Sequence, residues 1–202
     1  AEVRREGAVY EDSMAAAARA AEEEGLILLS DSSWFGYSDR PHRLMEGYLI
    51  LMAEAVDQLP RVPTHIFLQA GVGGLAGACA AHARAVWGDA PQIIIVEPEE
   101  APAIAASIEA GAPVKAPGGV SDMGRLDCKE PSLVALKSLA RDADVFMTIS
   151  EDEGRAGAAA AAAAGYPSTP SGAAGLAGLM AGGDALGIGP AARVLVILSE
   201  AA

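Results

Sequence analysis

Pro63-Thr64-His65-Ile66-Phe67-Leu68-Gln69-Ala70-Gly71-Val72-Gly73-Gly74-Leu75-Ala76-Gly77 is the stretch whose reading decides the fold. Residues 65–70 (HIFLQA) are almost continuously apolar, as a parallel strand covered on both faces is. The glycines that follow permit a tight backbone turn, and an Ala-rich helix opens directly after them. In that order, strand, turn and helix aim several backbone N–H groups at one point. The helix N-terminus adds about half a positive charge there, so an anion such as a phosphate is held without any basic side chain. A plain tight βα turn is the competing reading, and the strand–loop–helix context weakens it. The stretch has no GKS or GKT, which excludes a Walker-type nucleotide loop. GVGGLAG is also a poor match to the GxGxxG dinucleotide signature.

Further apolar runs lie on either side of this unit. Residues 26–30 (LILLS), 92–96 (QIIIV), 144–150 (DVFMTIS) and 193–199 (RVLVILS) read as strands. Helices are expected over residues 10–24, 44–59, 74–87, 102–110, 131–140, 152–164 and 173–186. Asp12 or Ser13 is placed to cap the first helix, and Gly25 to end it. A seven-alanine run at residues 158–164 is strong helix material that Gly165 and Pro167 stop. This alternation predicts an α/β fold: a doubly wound, mainly parallel sheet with helices on both faces. Residues 111–131 form one long Gly-, Pro- and Ser-rich connection, of a length usually associated with function or mobility.

Composition narrows the function. The 202 residues carry 14 Lys plus Arg against 27 Asp plus Glu, a formal charge of −13, which speaks against nucleic-acid binding. A hydrophobic fraction of 51% with 20% charged residues describes a folded chain. Cys79 and Cys128 show no CxxC or Cys/His ligand spacing and read as reduced thiols. His42, His65 and His82 are scattered and suggest no metal site. With no long charge-free apolar run and no secretory leader pattern, the expectation is a soluble, cytoplasmic protein without a membrane partner. The chain starts Ala-Glu-Val without an initiator Met, as a processed or cut chain does.

Several motifs together resemble one family. GVGGL after a strand is similar to the phosphate-cradling loop of fold-type II pyridoxal-phosphate enzymes. Residues 10–13 (YEDS), 31–37 (DSSWFGY), 45–48 (MEGY), 63–74 (PTHIFLQAGVGG), 124–132 (GRLDCKEPS) and 169–172 (TPSG) resemble the diaminopropionate ammonia-lyase family more specifically. That resemblance runs from the first residue to the last. It implies pyridoxal 5'-phosphate as cofactor, a small amino-acid substrate (2,3-diaminopropionate, converted to pyruvate and ammonia), and a homodimer. The cofactor supplies the electron sink, and the protein binds, orients and exchanges protons.

The resemblance also assigns residues. Gly71, Val72, Gly73, Gly74 and Leu75 would hold the cofactor phosphate through backbone N–H groups. Ser199 matches the hydroxyl residue that meets the pyridine nitrogen and leaves it largely unprotonated; an ordinary strand-end serine is the alternative. Asp31 matches an active-site acid that handles the substrate amino groups; a turn cap is the alternative. Lys129, between Asp127 and Glu130, reads as a structural or solvated ion pair and not as a Schiff-base lysine. Cys128 reads as a small buried hydrophobe, and Trp34 and Tyr37 equally as pocket wall or core. Lys115 and Lys137 read as solvated.

The family is about twice as long. Its Schiff-base lysine falls in an N-terminal segment with no counterpart in these residues. The expectation is therefore a partial pyridoxal-phosphate-binding α/β domain over residues 1–202, inactive or nearly so alone. It would associate with a first half or a second copy through exposed apolar surface. A non-catalytic phosphate-ligand or interaction module, and a threonine or serine dehydratase, remain the alternatives.

Overall fold

His65–Gln69 (β1) is the centre of the sheet, and its burial explains its sequence: Ile66, Phe67 and Leu68 have essentially no solvent contact. The computed structural model describes residues 2–7 and 9–202. Gln92–Pro98 (β2) lies parallel on one side of β1 with His65 opposite Gln92. Val194–Val196 (β4) lies parallel on the other side with His65 opposite Val194. Val145–Ile149 (β3) extends the sheet beyond β2, giving the order β3-β2-β1-β4.

The side-chain period of two sends alternate residues to two separate cores. Ile66, Leu68, Ile93 and Ile95 pack with Met52 of α2 (Asp39–Gln58), Ala76, Cys79 and Ala80 of α3 (Gly74–Trp87), and Leu139 of α5 (Leu133–Asp142). Phe67, Ile94 and Val96 face the opposite way, against Ala174 and Ala177 of α7 (Ala174–Gly182). Each fully buried side chain of this size contributes about 1.5–3 kcal/mol. Continuous apolarity in the sequence thus reports two covered faces, and the doubly wound α/β reading holds.

Topology then places the site. From β1 the chain steps outward to β2 and β3 by way of α3, α4 (Ala103–Ala110) and α5. After α6 (Glu151–Ala163) and α7 it crosses back to β4, on the far side of β1. The winding reverses between β1 and β4, and ligands in open α/β sheets bind at the carboxyl ends of strands flanking such a reversal.

Some expected elements differ. Residues 26–30 form no strand. They lie outside the sheet with Leu26, Ile27 and Leu29 exposed, and Tyr37 Oη takes up their backbone instead, accepting from Ser30 N–H and donating to Leu28 O. The last strand stops at Val196 because Ile197 O and Ser199 N–H are bonded to Gln69 and Gly172 in place of ladder partners. Helix α2 begins at Asp39, with Pro41 in its first turn where no N–H is needed. Helix α7 ends at Gly182. The N-cap of α1 (Tyr10–Glu24) is Val9, so Asp12 and Ser13 lie inside the helix; Gly25 ends it as expected. Ser150 and Glu153 form a full capping box at the start of α6.

Candidate active site

The loop after β1 is shaped by two close approaches. Gly73, the N-cap of α3, has φ +95°, a backbone region that side chains disfavour. At Gly71 a β-carbon would sit 3.1 Å from Arg125 O and from Leu126 Cα. The glycine therefore lets the 124–128 segment pack directly onto the loop. The first intrahelical bond of α3 runs from Gly77 N–H to Gly73 O, 2.8 Å. The preceding amides, of Gly73, Gly74, Leu75 and Ala76, have no carbonyl one turn back to bond. They are the donors an anion would meet.

A cavity of about 630 Å³ lies over this loop. Its wall includes Gly71, Val72, Gly73, Gly74 and Leu75, together with Tyr10, Asp31, Gln69, Arg125, Cys128 and Ser199. Residues distant in sequence, from 10 to 200, thus meet at the sheet reversal. A larger groove of about 940 Å³ crosses α2, α3 and α5 elsewhere. Its arginines Arg43 and Arg141 are paired with Glu46 and Asp142, and it lacks the glycine loop.

Asp31 is half-buried and accepts a 2.6 Å hydrogen bond from Tyr10 Oη at Oδ1. Burial first, and then the hydrogen bond to Asp31 and its charge, push the Tyr10 phenol well above its ordinary range, so it stays a donor. The Asp31 segment is held from behind. Ser33 N–H donates to Ser132 Oγ at 3.1 Å, the two hydroxyls are 2.7 Å apart, and Val134 N–H donates to Ser33 Oγ at 2.8 Å. Trp34 and Tyr37 stack on each other at 4.4 Å and close the turn beyond it; neither lines the cavity.

Ser199 Oγ, also in the cavity wall, lies 2.9 Å from Nε2 of Gln69. The same nitrogen donates to Gly172 O and Ile197 O, each at 3.0 Å. Gln69 is buried, and its Oε1 has no partner among the described residues, which costs about 1–3 kcal/mol. Sequence reasoning passed over this residue, although a lone amide at the end of an apolar strand beside a glycine loop was a readable signal. Arg125 and Glu200, 3.5 Å apart at the cavity wall, were likewise not singled out.

Lys129 has the structural role expected of it. Its Nζ donates to Glu100 O at 2.7 Å, Gly119 O at 2.6 Å and Asp127 Oδ1 at 2.5 Å, which ties the 111–131 connection to the end of β2. Its backbone N–H donates to Glu11 Oε1 of α1. Cys128 is buried and its thiol is pushed up to about 12, by burial first and then by Asp31 and Glu11. It is thus a neutral thiol and no nucleophile. Cys79 and Cys128 are both free.

A family model described as pyridoxal-phosphate dependent enzyme matches residues 1–200. The chain belongs to this family. It is similar to the diaminopropionate ammonia-lyase of Salmonella typhimurium, 33% identical over 150 residues that cover 70% of this chain and 37% of that protein. A crystal structure of the holo diaminopropionate ammonia-lyase from Escherichia coli superposes with a TM-score of 0.86 at 30% identity, covering 95% of this chain and 53% of that one. The processed form of threonine deaminase isoform 2 from Solanum lycopersicum shares the fold, with a TM-score of 0.83 at 20% identity, over 97% of this chain and 55% of that one. The chain therefore spans little more than a third of the Salmonella protein it matches.

Against the cofactor of this pyridoxal-phosphate dependent family, the donor set fits at both ends. The α3 amides suit a phosphate, and the missing β-carbons at Gly71 and Gly73 let the loop that lines the cavity pack tightly against the 124–128 segment on one side and against Ile104, Ala135 and Leu139 on the other. A hydroxyl, Ser199, also lines the cavity and would suit a ring nitrogen as a neutral partner. None of the three lysines, Lys115, Lys129 and Lys137, lines the cavity.

Proposed function

We propose that this chain forms the cofactor-binding part of a diaminopropionate ammonia-lyase. The reading rests on one observation: the loop of Gly71 to Leu75, Asp31 and Ser199 converge on a single cavity at the reversal between β1 and β4. The higher identity to ammonia-lyases than to threonine deaminase favours this substrate class over a threonine or serine dehydratase.

Bound pyridoxal phosphate supplies the electron sink for the carbanion at the substrate Cα. The backbone amides of Gly73, Gly74 and Leu75 would hold its phosphate, and Ser199 would meet its ring nitrogen. Asp31 takes a proton from, or returns one to, the substrate amino groups, while Tyr10 fixes which oxygen of Asp31 stays free. Ammonia leaves and pyruvate follows on hydrolysis, with loss of the second ammonia. The lysine that anchors the cofactor comes from outside these residues, so the chain alone is inactive or nearly so. Leu26, Ile27, Leu29 and Phe35, all exposed, belong to the surface that the remainder of the enzyme or a second copy covers.

The test combines this chain with the amino-terminal half of the Salmonella relative. Pyruvate release from 2,3-diaminopropionate, and less from serine, is the expected result; preference for serine contradicts the assignment. Asp31→Asn in the combined enzyme should lower kcat by about 10²–10⁴-fold, the usual contribution of a positioned acid–base group. An unchanged rate would make Asp31 a turn residue.

A further inference from the structure

We infer that Gln69 is a positioning residue that fixes the direction of the Ser199 hydroxyl and so keeps the ring nitrogen of the bound cofactor unprotonated. The inference rests on pyridoxal phosphate being the ligand of this cavity. Gln69 stands at the end of β1, directly before the glycine loop, and is buried. Which end of its amide carries the hydrogens follows from the surroundings. Two backbone carbonyls, of Gly172 and Ile197, lie 3.0 Å from one terminal atom; an oxygen there would face two acceptors, so that atom is the nitrogen. The oxygen then turns toward Gly175, where a β-carbon would lie 3.0 Å from it, and it finds no partner among the described residues.

Ser199 Oγ therefore faces a nitrogen, at 2.9 Å, that has hydrogens and no lone pair to offer. The serine hydroxyl cannot donate to Gln69. Its proton is left for an acceptor elsewhere, and the cavity that Ser199 lines is where a pyridine ring would sit. A donor at the ring nitrogen is complementary to the unprotonated ring and repels the protonated one. An aspartate in place of the serine would select the opposite state. The two amide hydrogens of Gln69 are shared among three acceptors, so both its donor count and its fixed orientation matter. The unpartnered Oε1 is the consequence of turning the amide this way.

The experiment binds pyridoxine 5'-phosphate labelled with ¹⁵N in the ring to the chain, because its alcohol in place of the aldehyde cannot modify the lysines. The ring ¹⁵N resonance is followed against pH, and the ³¹P resonance reports the loop. On binding at pH 7 the ring signal should move from the protonated position of the free ligand to the unprotonated one. Gln69→Glu offers Ser199 an acceptor, so the serine turns its proton toward it; the ring signal should return to the protonated position. A carboxylate facing Gly172 O and Ile197 O also strains the fold, so Gln69→Met is the second variant. With no donor, it should bring the ring titration part-way back to that of the free ligand while the ³¹P resonance stays in place. Parent protein that binds the ligand with a protonated ring, or a Gln69→Met titration identical to the parent's, overturns the inference and leaves the functional assignment standing. Absence of any binding overturns the assignment of the cavity, and the inference with it.

Discussion

Replacing Gly73 by alanine puts two separable strains on the loop. The first is conformational: φ +95° lies in the left-handed region, where a β-carbon costs roughly 1–2 kcal/mol. The second is packing: the new β-carbon would lie 3.0 Å from Ile104 Cδ1, 3.2 Å from Ala135 Cβ and 3.2 Å from Leu139 Cδ1. Ile104 and Leu139 are fully buried members of one core, so relief there means moving side chains already packed. Overpacking of this kind costs about 1–3 kcal/mol. The sum is about 2–5 kcal/mol, against a total stability on the order of 5–15 kcal/mol. Gly111→Ala is the matched control, because Gly111 ends α4 at φ +65° with nothing within 4 Å of its virtual β-carbon. It should show the conformational cost alone. Urea unfolding of the two variants, read by circular dichroism, gives the difference. With a slope of about 2 kcal/mol per molar, Gly73→Ala should lower the midpoint by about 1–2.5 M and Gly111→Ala by about 0.5–1 M. Equal midpoints would refute the claim that the loop is wedged against the core.

Glu97 and Lys129 carry further predictions. Glu97 is fully buried, accepts from the amides of Ile104 and Ala105 at the start of α4, and has its carboxyl pushed up to about 7 by burial. A folded-state value above the unfolded one favours the protonated form, so its contribution is complete below about 4.5 and is lost as the pH rises through about 7. That amounts to roughly 3 kcal/mol at most. Urea midpoints should fall between pH 5 and 8, and Glu97→Gln should flatten that slope; an unchanged slope contradicts the assignment. Lys129→Met strips the ammonium from two carbonyls and leaves Asp127 largely buried without its partner, at a cost of about 3–5 kcal/mol. Limited proteolysis should then cut within residues 111–131 faster than in the parent; equal cutting would show that other contacts hold the connection.

The central α/β unit was legible because several signals agree there: apolar runs of strand length, glycines at the turn and a long helix former behind it. The same run length misled at residues 26–30. LILLS and HIFLQ look alike in composition, and only the presence of a neighbouring ladder separates an exposed connecting segment from a central strand. Asp31 and Ser199 were found through resemblance, since neither carries a local signature, and the fold brings both to the cavity. Gln69 and Glu97 were missed for a shared reason. Each sits in an otherwise apolar strand, where pattern reading counts hydrophobic residues and passes over a single buried polar group. Such a group must find partners, and both do, at the ends of strands where chain direction changes. The Ser150–Glu153 capping box was missed as well: it stands in ISEDE and starts α6 at Glu151, one residue before the expected helix.

The proposed function turns on a phosphate held by backbone amides of the loop from Gly71 to Leu75. The most direct measurement compares pyridoxine 5'-phosphate with pyridoxine, by isothermal titration of this chain. Two charge-assisted hydrogen bonds at about 1.5–3 kcal/mol each imply a loss of about 10²–10⁴-fold in affinity when the phosphate is removed. Tighter binding of the phosphorylated ligand by that margin is the predicted result. Equal affinity for the two ligands, or none for either, would contradict a phosphate site at this loop.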